Sequence, residues 1–150
     1  MAKGATGRRE ALADADYERL AAFRYALRRF LYFSESACTR VGLTGQQYQA
    51  MLAIRSLSRR NPVTINDLAR HLFIRHNSAV GMVDRLVTQG LMIRERMAED
   101  RRKARLRLSP KGEALLGKLA SIHRRKLGRI GPEIHRFLGQ LTGVWRRGAG

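Results

Sequence analysis

Residues 63–112 read VTINDLARHLFIRHNSAVGMVDRLVTQGLMIRERMAEDRRKARLRLSPKG, and this stretch decides the fold. A first short helix is predicted to begin at Thr64, whose hydroxyl can accept from an early backbone N–H, with Asp67 completing an approximate capping box. Gly90 is placed to end a second helix in the left-handed conformation. The second helix has an apolar stripe at helical spacing, formed by Ala79, Met82, Val83 and Leu86.

Two short extended runs follow, and strands are predicted over Met92–Met97 and Ala104–Leu108. In the second run Leu106 and Leu108 alternate with arginines, as in a half-buried strand. The turn between the runs is polar and rich in arginine. Two short helices followed by a hairpin predict a winged helix-turn-helix, so the fold class is mainly α (α+β).

The exposed face of the second helix bears polar or small side chains. Short polar groups, and a glycine where a bulky residue would obstruct close approach, suit a major groove whose base edges offer donors and acceptors. Asn77 can pair with adenine, and Arg85 can reach guanine or a phosphate. The alternative is that Asn77 or Ser78 caps the helix. The candidate DNA-binding residues of this helix are His76, Asn77, Ser78, Gly81 and Arg85.

The hairpin turn carries three consecutive cations, Arg101, Arg102 and Lys103, beside Asp100. Such a turn suits phosphates or a minor groove, although a basic turn can also be only a solvated surface. Following a helix-turn-helix, the first interpretation is preferred. Arg101 and Lys103 are interpreted as phosphate contacts, which strengthen binding without selecting a sequence.

Helical patterns continue on both sides of the winged region. Upstream, a helix with an apolar, aromatic face is predicted over Ala11–Ala37, and a second one extends from a Thr44–Gln47 capping box to about Arg59. Downstream, Ser109 and Pro110 are predicted to begin a helix that Gly131–Pro132 interrupts, and a last helix covers Pro132–Leu141. The ends, 1–9 and 142–150, are predicted to be basic tails, with Lys3, Arg8 and Arg9 as further phosphate contacts.

The composition indicates a globular chain that binds a polyanion. The 150 residues are 44% hydrophobic and carry a net charge of +18, which favours nucleic acid as the partner. No signal-peptide core or membrane-spanning run is recognised, so a cytoplasmic protein without membrane contact is expected. Two alternatives stay open: a low-specificity DNA-coating or architectural protein, and a winged-helix module that binds other proteins.

Catalytic and metal-binding patterns are not found in the sequence. The single cysteine, Cys38, excludes an internal disulfide and multi-cysteine zinc motifs. The four histidines do not have metal-ligand spacing; they are His71, His76, His123 and His135. No phosphate loop, nucleophile elbow or paired carboxylates are present, so neither an enzyme nor a cofactor is expected.

Three short motifs resemble the MarR (multiple antibiotic resistance regulator) family of winged-helix transcription factors. The family pattern D-x-R, five residues, then Leu-Thr is filled by Asp100, Arg102, Leu108 and Ser109, with serine in place of threonine. Residues 109–112, SPKG, match the family's T-P-K-G, and residues 43–48, LTGQQY, match its L-T-x-x-Q-aromatic segment. The resemblance extends over about residues 17 to 140.

The resemblance implies a homodimeric repressor of one domain, 1–150. Segments 11–43 and 113–141 would form the dimer, which their apolar stripes also favour, and 44–112 would bind a pseudo-palindromic site in double-stranded DNA. It also implies that Arg102 enters the minor groove and that Asp100 orients it. Relatives release DNA on binding small aromatic or phenolic effectors, for which the candidate residues here are Tyr32, Phe33, Tyr48 and Arg55.

Some relatives sense peroxides through a cysteine, so Cys38 is a candidate for redox sensing. Its position at the end of the first helix, among apolar neighbours, favours the alternative of an inert packing residue.

Overall fold

The computed structural model of the chain describes residues 11–142. The predicted basic tails lie outside this range, apart from Thr142, and so do the predicted phosphate contacts Lys3, Arg8 and Arg9. Within it, five helices and one two-stranded antiparallel hairpin confirm the mainly α winged-helix fold. The elements are α1 (Asp14–Thr39), α2 (Gly45–Leu57), α3 (Ile65–Leu72), α4 (His76–Thr88), β1 (Met92–Arg96), β2 (Ala104–Leu108) and α5 (Pro110–Thr142).

Two compact units divide the chain, and residues 31–126 form the larger one. Its core contains the predicted stripe of α4 together with apolar side chains from α2, α3, the hairpin and the first turns of α5. Burial of such side chains is the main favourable term in folding. The largest fully buried side chains are Met51, Ile54, Leu68, Leu86, Met92, Leu106 and Leu119.

Both predicted capping boxes are present. At α2, the Thr44 hydroxyl accepts from the Gln47 N–H at 3.1 Å, and the Gln47 side chain accepts from the Thr44 N–H at 3.0 Å. At α3, Thr64 and Asp67 exchange the equivalent bonds at 3.3 and 2.9 Å. The hydrogen bonds from Thr64 are also the main reason that the pKa of Asp67 lies below its usual value.

The hairpin is attached to the start of α3. Its register pairs Met92 with Leu108 and Arg96 with Ala104. The N–H of Leu106 donates to the carbonyl of Val63 at 2.7 Å, which extends the pairing to the segment before α3. This link fixes the base of the hairpin beside the two helices of the helix-turn-helix.

A close backbone approach joins the hairpin to α5. The Ser109 hydroxyl caps α5 by accepting from the Gly112 N–H at 3.0 Å, and it donates to the Gly90 carbonyl at 2.6 Å. Gly112 is buried, and a Cβ there would lie 2.9 Å from the Leu91 carbonyl carbon. The predicted cap and proline start of α5 are therefore confirmed.

The predicted interruption of the last helix at Gly131–Pro132 is wrong. Helix α5 is continuous from Pro110 to Thr142, with Pro132 inside it. Proline removes one helical hydrogen bond and crowds the carbonyl four residues earlier, which here belongs to Gly128. The hydrogen bonds on either side of that single gap are sufficient to continue the helix.

The described residues of the smaller unit are 11–30 and 127–142. Ala26 is buried, while several large apolar side chains of α1 are exposed, including Tyr17 and Tyr25 at 59% each. Arg29 lies over the Tyr25 ring, 5.8 Å from its centre. Within residues 11–142, no helix is both long and apolar enough to cross a membrane.

The turn between α3 and α4 has an unexpected residue. Phe73 adopts a left-handed conformation with φ of 55° and is 96% exposed. A bulky residue is strained there, and its ring gains no burial in the described unit.

Candidate nucleic-acid interface

Helix α4 presents the polar face that the sequence predicts. Because Ala79, Met82, Val83 and Leu86 point into the core, the opposite side faces solvent. The predicted residues His76, Asn77, Ser78 and Arg85 are exposed, and Gly81 is half-buried. The five predicted residues therefore lie outside the buried stripe of one helix.

The helix begins at His76, two positions earlier than a cap at Asn77 requires and three earlier than a cap at Ser78 requires. Arg75 is the N-cap residue, and its side chain, which lies in the described part of the chain, makes no capping hydrogen bond. Asn77 and Ser78 are already helical, so the interpretation of either as the cap is wrong. The first N–H groups of the helix can then meet an anion, which the helix dipole favours.

Asn66 holds the first residue of this helix. The Oδ1 atom of Asn66 lies 2.7 Å from Nδ1 of His76 and connects α3 to α4. Sequence reasoning missed Asn66, because nothing in the spacing of residues 66 and 76 indicates a contact across the turn.

Gly81 is not required by the packing of α4. A Cβ at this position would meet Arg85 Nη1 at 3.7 Å, an ordinary van der Waals distance. The smooth surface at Gly81 is therefore directed outward, with the Arg85 side chain lying beside it. The missing side chain at Gly81 allows a ligand to approach the helix closely, and the Arg85 side chain lies beside that position.

We call the hairpin together with its turn, residues 92–108, the wing. In the turn, the Asp100 carboxylate accepts from the backbone N–H of Arg102 at 3.0 Å, and the Asp100 carbonyl accepts from the Lys103 N–H at 3.0 Å. The Asp100 carboxylate thus contacts the backbone of Arg102. Its implied role in orienting the Arg102 guanidinium stays a prediction.

The cations of the wing fall into two groups. On the strands, Glu95 pairs with Arg105 and Arg107, and these hydrogen bonds, that of Arg107 first, lower the pKa of Glu95. At the turn, by contrast, no carboxylate of residues 11–142 forms an ion pair with the exposed side chains of residues 101–103. The turn therefore keeps three positive charges available for an anion.

A cavity of about 600 Å³ separates the wing from the helix-turn-helix. Asn66 and His76 line one side, and Arg102 and Lys103 line the other. Arg94 also borders it, but its charge is balanced by Asp84 at 2.9 Å. The opening thus brings together His76 of α4 and Arg102 and Lys103 of the wing. The other predicted DNA-binding residues do not line it; they are Asn77, Ser78, Gly81, Arg85 and Arg101.

The predicted effector residues do not share one environment. Tyr48 is buried and stacks on His123 with 4.3 Å between ring centres, and Phe33 meets the same imidazole edge-on at 6.0 Å. Tyr32, in contrast, is 78% exposed. Arg55 forms an ion pair with Glu113 at 3.0 Å.

His123 is a buried residue that sequence reasoning did not place. Its Nδ1 donates to the Leu119 carbonyl at 2.7 Å, and its Nε2 lies 2.7 Å from the Ser34 hydroxyl. The signal was present in the sequence, since His123 follows the buried residues Leu116 and Leu119 at helical spacing.

Cys38 is completely buried within the core. Burial, and secondarily the charge of Glu35, raise the pKa of its thiol. A raised pKa reduces the thiolate form that reacts with oxidants. Among the described residues, no group of three or more His, Cys, Asp or Glu side chains is arranged to hold a metal ion.

Comparisons with known proteins agree with this geometry. Residues 41–103 match the family model described as MarR family. No curated protein sequence matches the chain.

Solved structures with the same fold include two transcription regulators. The repressor CouR, bound to a 23-mer DNA duplex, is 25% identical with a TM-score of 0.66, over 91% of this chain and 99% of its own. Staphylococcus aureus MepR, a regulator of the multidrug efflux pump MepA, is 18% identical with a TM-score of 0.72, over 85% of this chain and 95% of its own. A MepR mutant bound to an oligodeoxyribonucleotide is 19% identical with a TM-score of 0.65, over 85% and 94% of the two chains.

Proposed function

Because this chain belongs, through residues 41–103, to the MarR family of winged helix-turn-helix transcription regulators, we propose that it binds double-stranded DNA sequence-specifically as a homodimeric repressor. As such a regulator, the chain would have no catalytic role and no cofactor, and it would act in the cytoplasm, where its operator would be. CouR and the MepR mutant provide structural precedents, since both have been solved with DNA.

The observation that carries the proposal is the shared opening of α4 and the wing. Helix α4, with its exposed polar face, lies beside the turn of the wing, and an opening of about 600 Å³ separates them. No carboxylate of residues 11–142 forms an ion pair with the three cations of that turn. A DNA backbone strand fits such an opening, because its phosphates can meet Lys103 while the adjacent major groove receives α4.

In this arrangement the five residues of α4 read base edges or position the helix. Asn77 and Arg85 have the donors for adenine and for guanine or phosphate, respectively. Ser78 and the helix N–H groups meet the backbone, and Gly81 permits close approach. Arg102 enters the minor groove, with its two cationic neighbours, residues 101 and 103, on flanking phosphates.

We assign the dimer contact to the predicted segments 11–43 and 113–141. Large apolar side chains on these segments are exposed in the single chain, which supports burial against a second copy. A two-fold dimer would place two α4 helices on half-sites separated by about one helical turn, ~34 Å. The exposed residues are Leu12, Tyr17, Leu20, Tyr25, Leu31, Tyr32, Leu127 and Leu138.

Release by a small aromatic or phenolic effector completes the proposed function. The ring cluster of Phe33, Tyr48 and His123 supports it, because it lies where α1, α2 and α5 meet within residues 31–126. An effector acts only through its different affinity for the DNA-binding and non-binding conformations. Direct titration of phenolic compounds against the DNA complex tests this part.

The decisive experiment is selection from a randomised duplex library at near-physiological salt, followed by sequencing. A palindromic motif with half-sites about one helical turn apart supports the proposal. Retention without enrichment would instead establish a DNA-coating protein. If no duplex is retained, the remaining interpretation is a winged-helix module that binds other proteins.

The selected duplex then allows the contribution of the wing to be measured. We expect Arg102→Ala and Lys103→Ala each to reduce the slope of log affinity against log salt by about 1, since each removes one phosphate or groove contact. Lys118→Ala is the matched control, because it removes one exposed charge from α5. An equal change in the control would mean that only net charge matters.

A further inference from the structure

We propose that Asn66 is a positioning residue that fixes the tautomer of His76 and thereby decides which bases His76 reads. This inference rests on the proposed DNA-binding function and adds a residue outside the recognition helix. It starts from one contact, the 2.7 Å separation of Asn66 Oδ1 and His76 Nδ1.

The chemistry of the two atoms sets the position of the proton. An amide oxygen can only accept a hydrogen bond, so Nδ1 of His76 must donate and must carry the hydrogen. A neutral imidazole has one N–H, which leaves Nε2 without a hydrogen and makes it an acceptor. The contact therefore selects one of the two neutral tautomers.

The location of His76 directs that acceptor outward. His76 is the first residue of α4, is exposed, and borders the opening shared with the wing. Since Nδ1 is engaged by Asn66 on α3, the ring edge with Nε2 is the one left for a ligand. A base that approaches this edge must offer a donor.

In the major groove, exocyclic amino groups are the donors, at N6 of adenine and N4 of cytosine. Guanine offers the acceptors O6 and N7, and thymine offers O4. His76 held by Asn66 therefore prefers adenine or cytosine at the base it meets. The other tautomer, with the hydrogen on Nε2, would prefer guanine or thymine.

The charged groups around Asn66 and His76 support a role in which a neutral His76 ring contacts a base. Arg94, Arg102 and Lys103 line the same opening, as do Arg70 and its ion-pair partner Asp67. Arg70 and Arg94 are already balanced by Asp67 and Asp84, so the positive charge that faces the DNA here comes from Arg102 and Lys103. Consequently His76 is not needed as a positive charge at this place.

The test combines selection with spectroscopy, on the full chain at about pH 8.5 to keep imidazole rings neutral. The randomised duplex library is selected with the wild type and with His76→Ala, and the motif position that changes is the one read by His76. We expect adenine or cytosine there in the wild type, favoured roughly 5-fold, the ratio expected from one hydrogen bond.

Two replacements of Asn66 separate positioning from a structural role. Asn66→Leu removes the acceptor, so the preference at that position should fall to near parity while the rest of the motif persists. Asn66→Asp keeps an oxygen for the Nδ1 hydrogen and should restore the preference. His71→Gln is the matched control, because it changes another exposed histidine, on α3, and should leave the motif intact.

Nitrogen-15 spectra of the imidazole give an independent readout in the free protein. Wild type and Asn66→Asp should show a protonated Nδ1 and a bare Nε2, and Asn66→Leu should show a mixture. A wild-type motif with guanine or thymine at this position would overturn the proposal. So would an Asn66→Leu variant that binds the unchanged motif with uniformly weaker affinity.

Failure of the underlying function gives a different result. If the wild type enriches no motif, the sequence-specific function and the reading role of His76 both fall. The spectra would then still show whether Asn66 fixes the ring. A defined motif with no dependence on Asn66 would overturn this inference alone.

Discussion

Replacing Gly112 by alanine should destabilise the winged-helix unit, although alanine is the better helix former. Gly112 lies in the first turn of α5, and a Cβ there would come within 2.9 Å of the Leu91 carbonyl carbon and 3.3 Å of its Cα. Carbon atoms in normal contact are about 3.5–4.0 Å apart. The obstructing atoms belong to the backbone, so they cannot rotate away.

The magnitude follows from what must move. Separating α5 from residue 91 costs about 1–3 kcal/mol as overpacking. It also strains the Ser109 bonds to Leu91 and Gly90, at 3.1 and 2.6 Å, which contribute about 1 kcal/mol each. Subtracting about 1 kcal/mol for the helix propensity of alanine leaves a loss of about 1–4 kcal/mol in the free energy of unfolding.

Gly117→Ala provides a matched control on the same helix, because a Cβ at Gly117 would meet nothing within 4 Å. The substitution there should gain about 0.5–1 kcal/mol from helix propensity alone. The two glycine-to-alanine changes are chemically identical and differ only in what surrounds the new methyl group. Their effects should therefore have opposite signs.

Urea unfolding followed by circular dichroism, at one fixed protein concentration, measures both variants. Thermal unfolding should show Gly112→Ala about 3–15 °C below the wild type and Gly117→Ala about 2–4 °C above it. A Gly112→Ala variant as stable as the wild type would refute the steric argument. An equal loss in Gly117→Ala would show that α5 tolerates no added methyl group, whatever its surroundings.

Four further predictions concern single positions. The pKa of the Asp67 carboxyl is lower in the folded chain than in the unfolded one. The ionised carboxylate therefore stabilises the fold above its unfolded pKa, and this stabilisation is lost as the pH falls through its folded pKa. In Thr64→Ala, the urea midpoint should fall less than in the wild type when the pH is lowered below about 4. Burial raises the pKa of Cys38, so iodoacetamide should alkylate the native protein at least ~10-fold more slowly than the urea-unfolded chain, and equal rates would contradict this. Phe73→Gly should raise the free energy of unfolding by about 0.5 kcal/mol, since it relieves a left-handed bulky residue, whereas Phe73→Ala keeps the strained φ and should not. Gly81→Ala should raise stability by about 0.5–1 kcal/mol yet weaken binding to the selected duplex, and unchanged affinity would remove Gly81 from the interface.

Local signals in the sequence were sufficient for most of the fold. The capping boxes at Thr44 and Thr64 each depend on residues three apart, and the stripe of α4 depends on residues within about two turns. The exposed face of α4 followed directly, because burying one side of a helix exposes the other. These features were predictable since each is determined within a short segment of the chain.

One prediction and one alternative interpretation were wrong, and each rested on the preference of a single position. Proline disfavours a helix interior, yet α5 continues through Pro132 because many intact hydrogen bonds flank the one that is lost. Asparagine and serine are preferred N-caps, yet α4 starts after Arg75, so Asn77 and Ser78 are helical. Rules for single positions could not anticipate either result.

Contacts between elements were beyond the sequence. The Asn66–His76 bond joins two helices across a turn, and the approach of Gly112 to Leu91 joins a helix to the segment before a strand. The S-P-K-G motif predicted where α5 begins, but it did not explain its glycine. The reason became visible only once Leu91 was placed against that turn.

The glycines of the helices therefore distinguish constraints of the fold from constraints of function. At Gly112 the backbone of Leu91 leaves no room for a side chain, so the fold alone explains the residue. At Gly81 a Cβ would meet only the flexible end of Arg85 at 3.7 Å, so the chain gives up about 1 kcal/mol of helix propensity without a structural return. Free space alone does not identify a binding position, since a Cβ at Gly117 on α5 would also meet nothing within 4 Å. What distinguishes Gly81 is its position on α4, among the polar side chains of the exposed face. On that face, beside the cations of the wing, the missing side chain fits close approach of the edge of a DNA base pair.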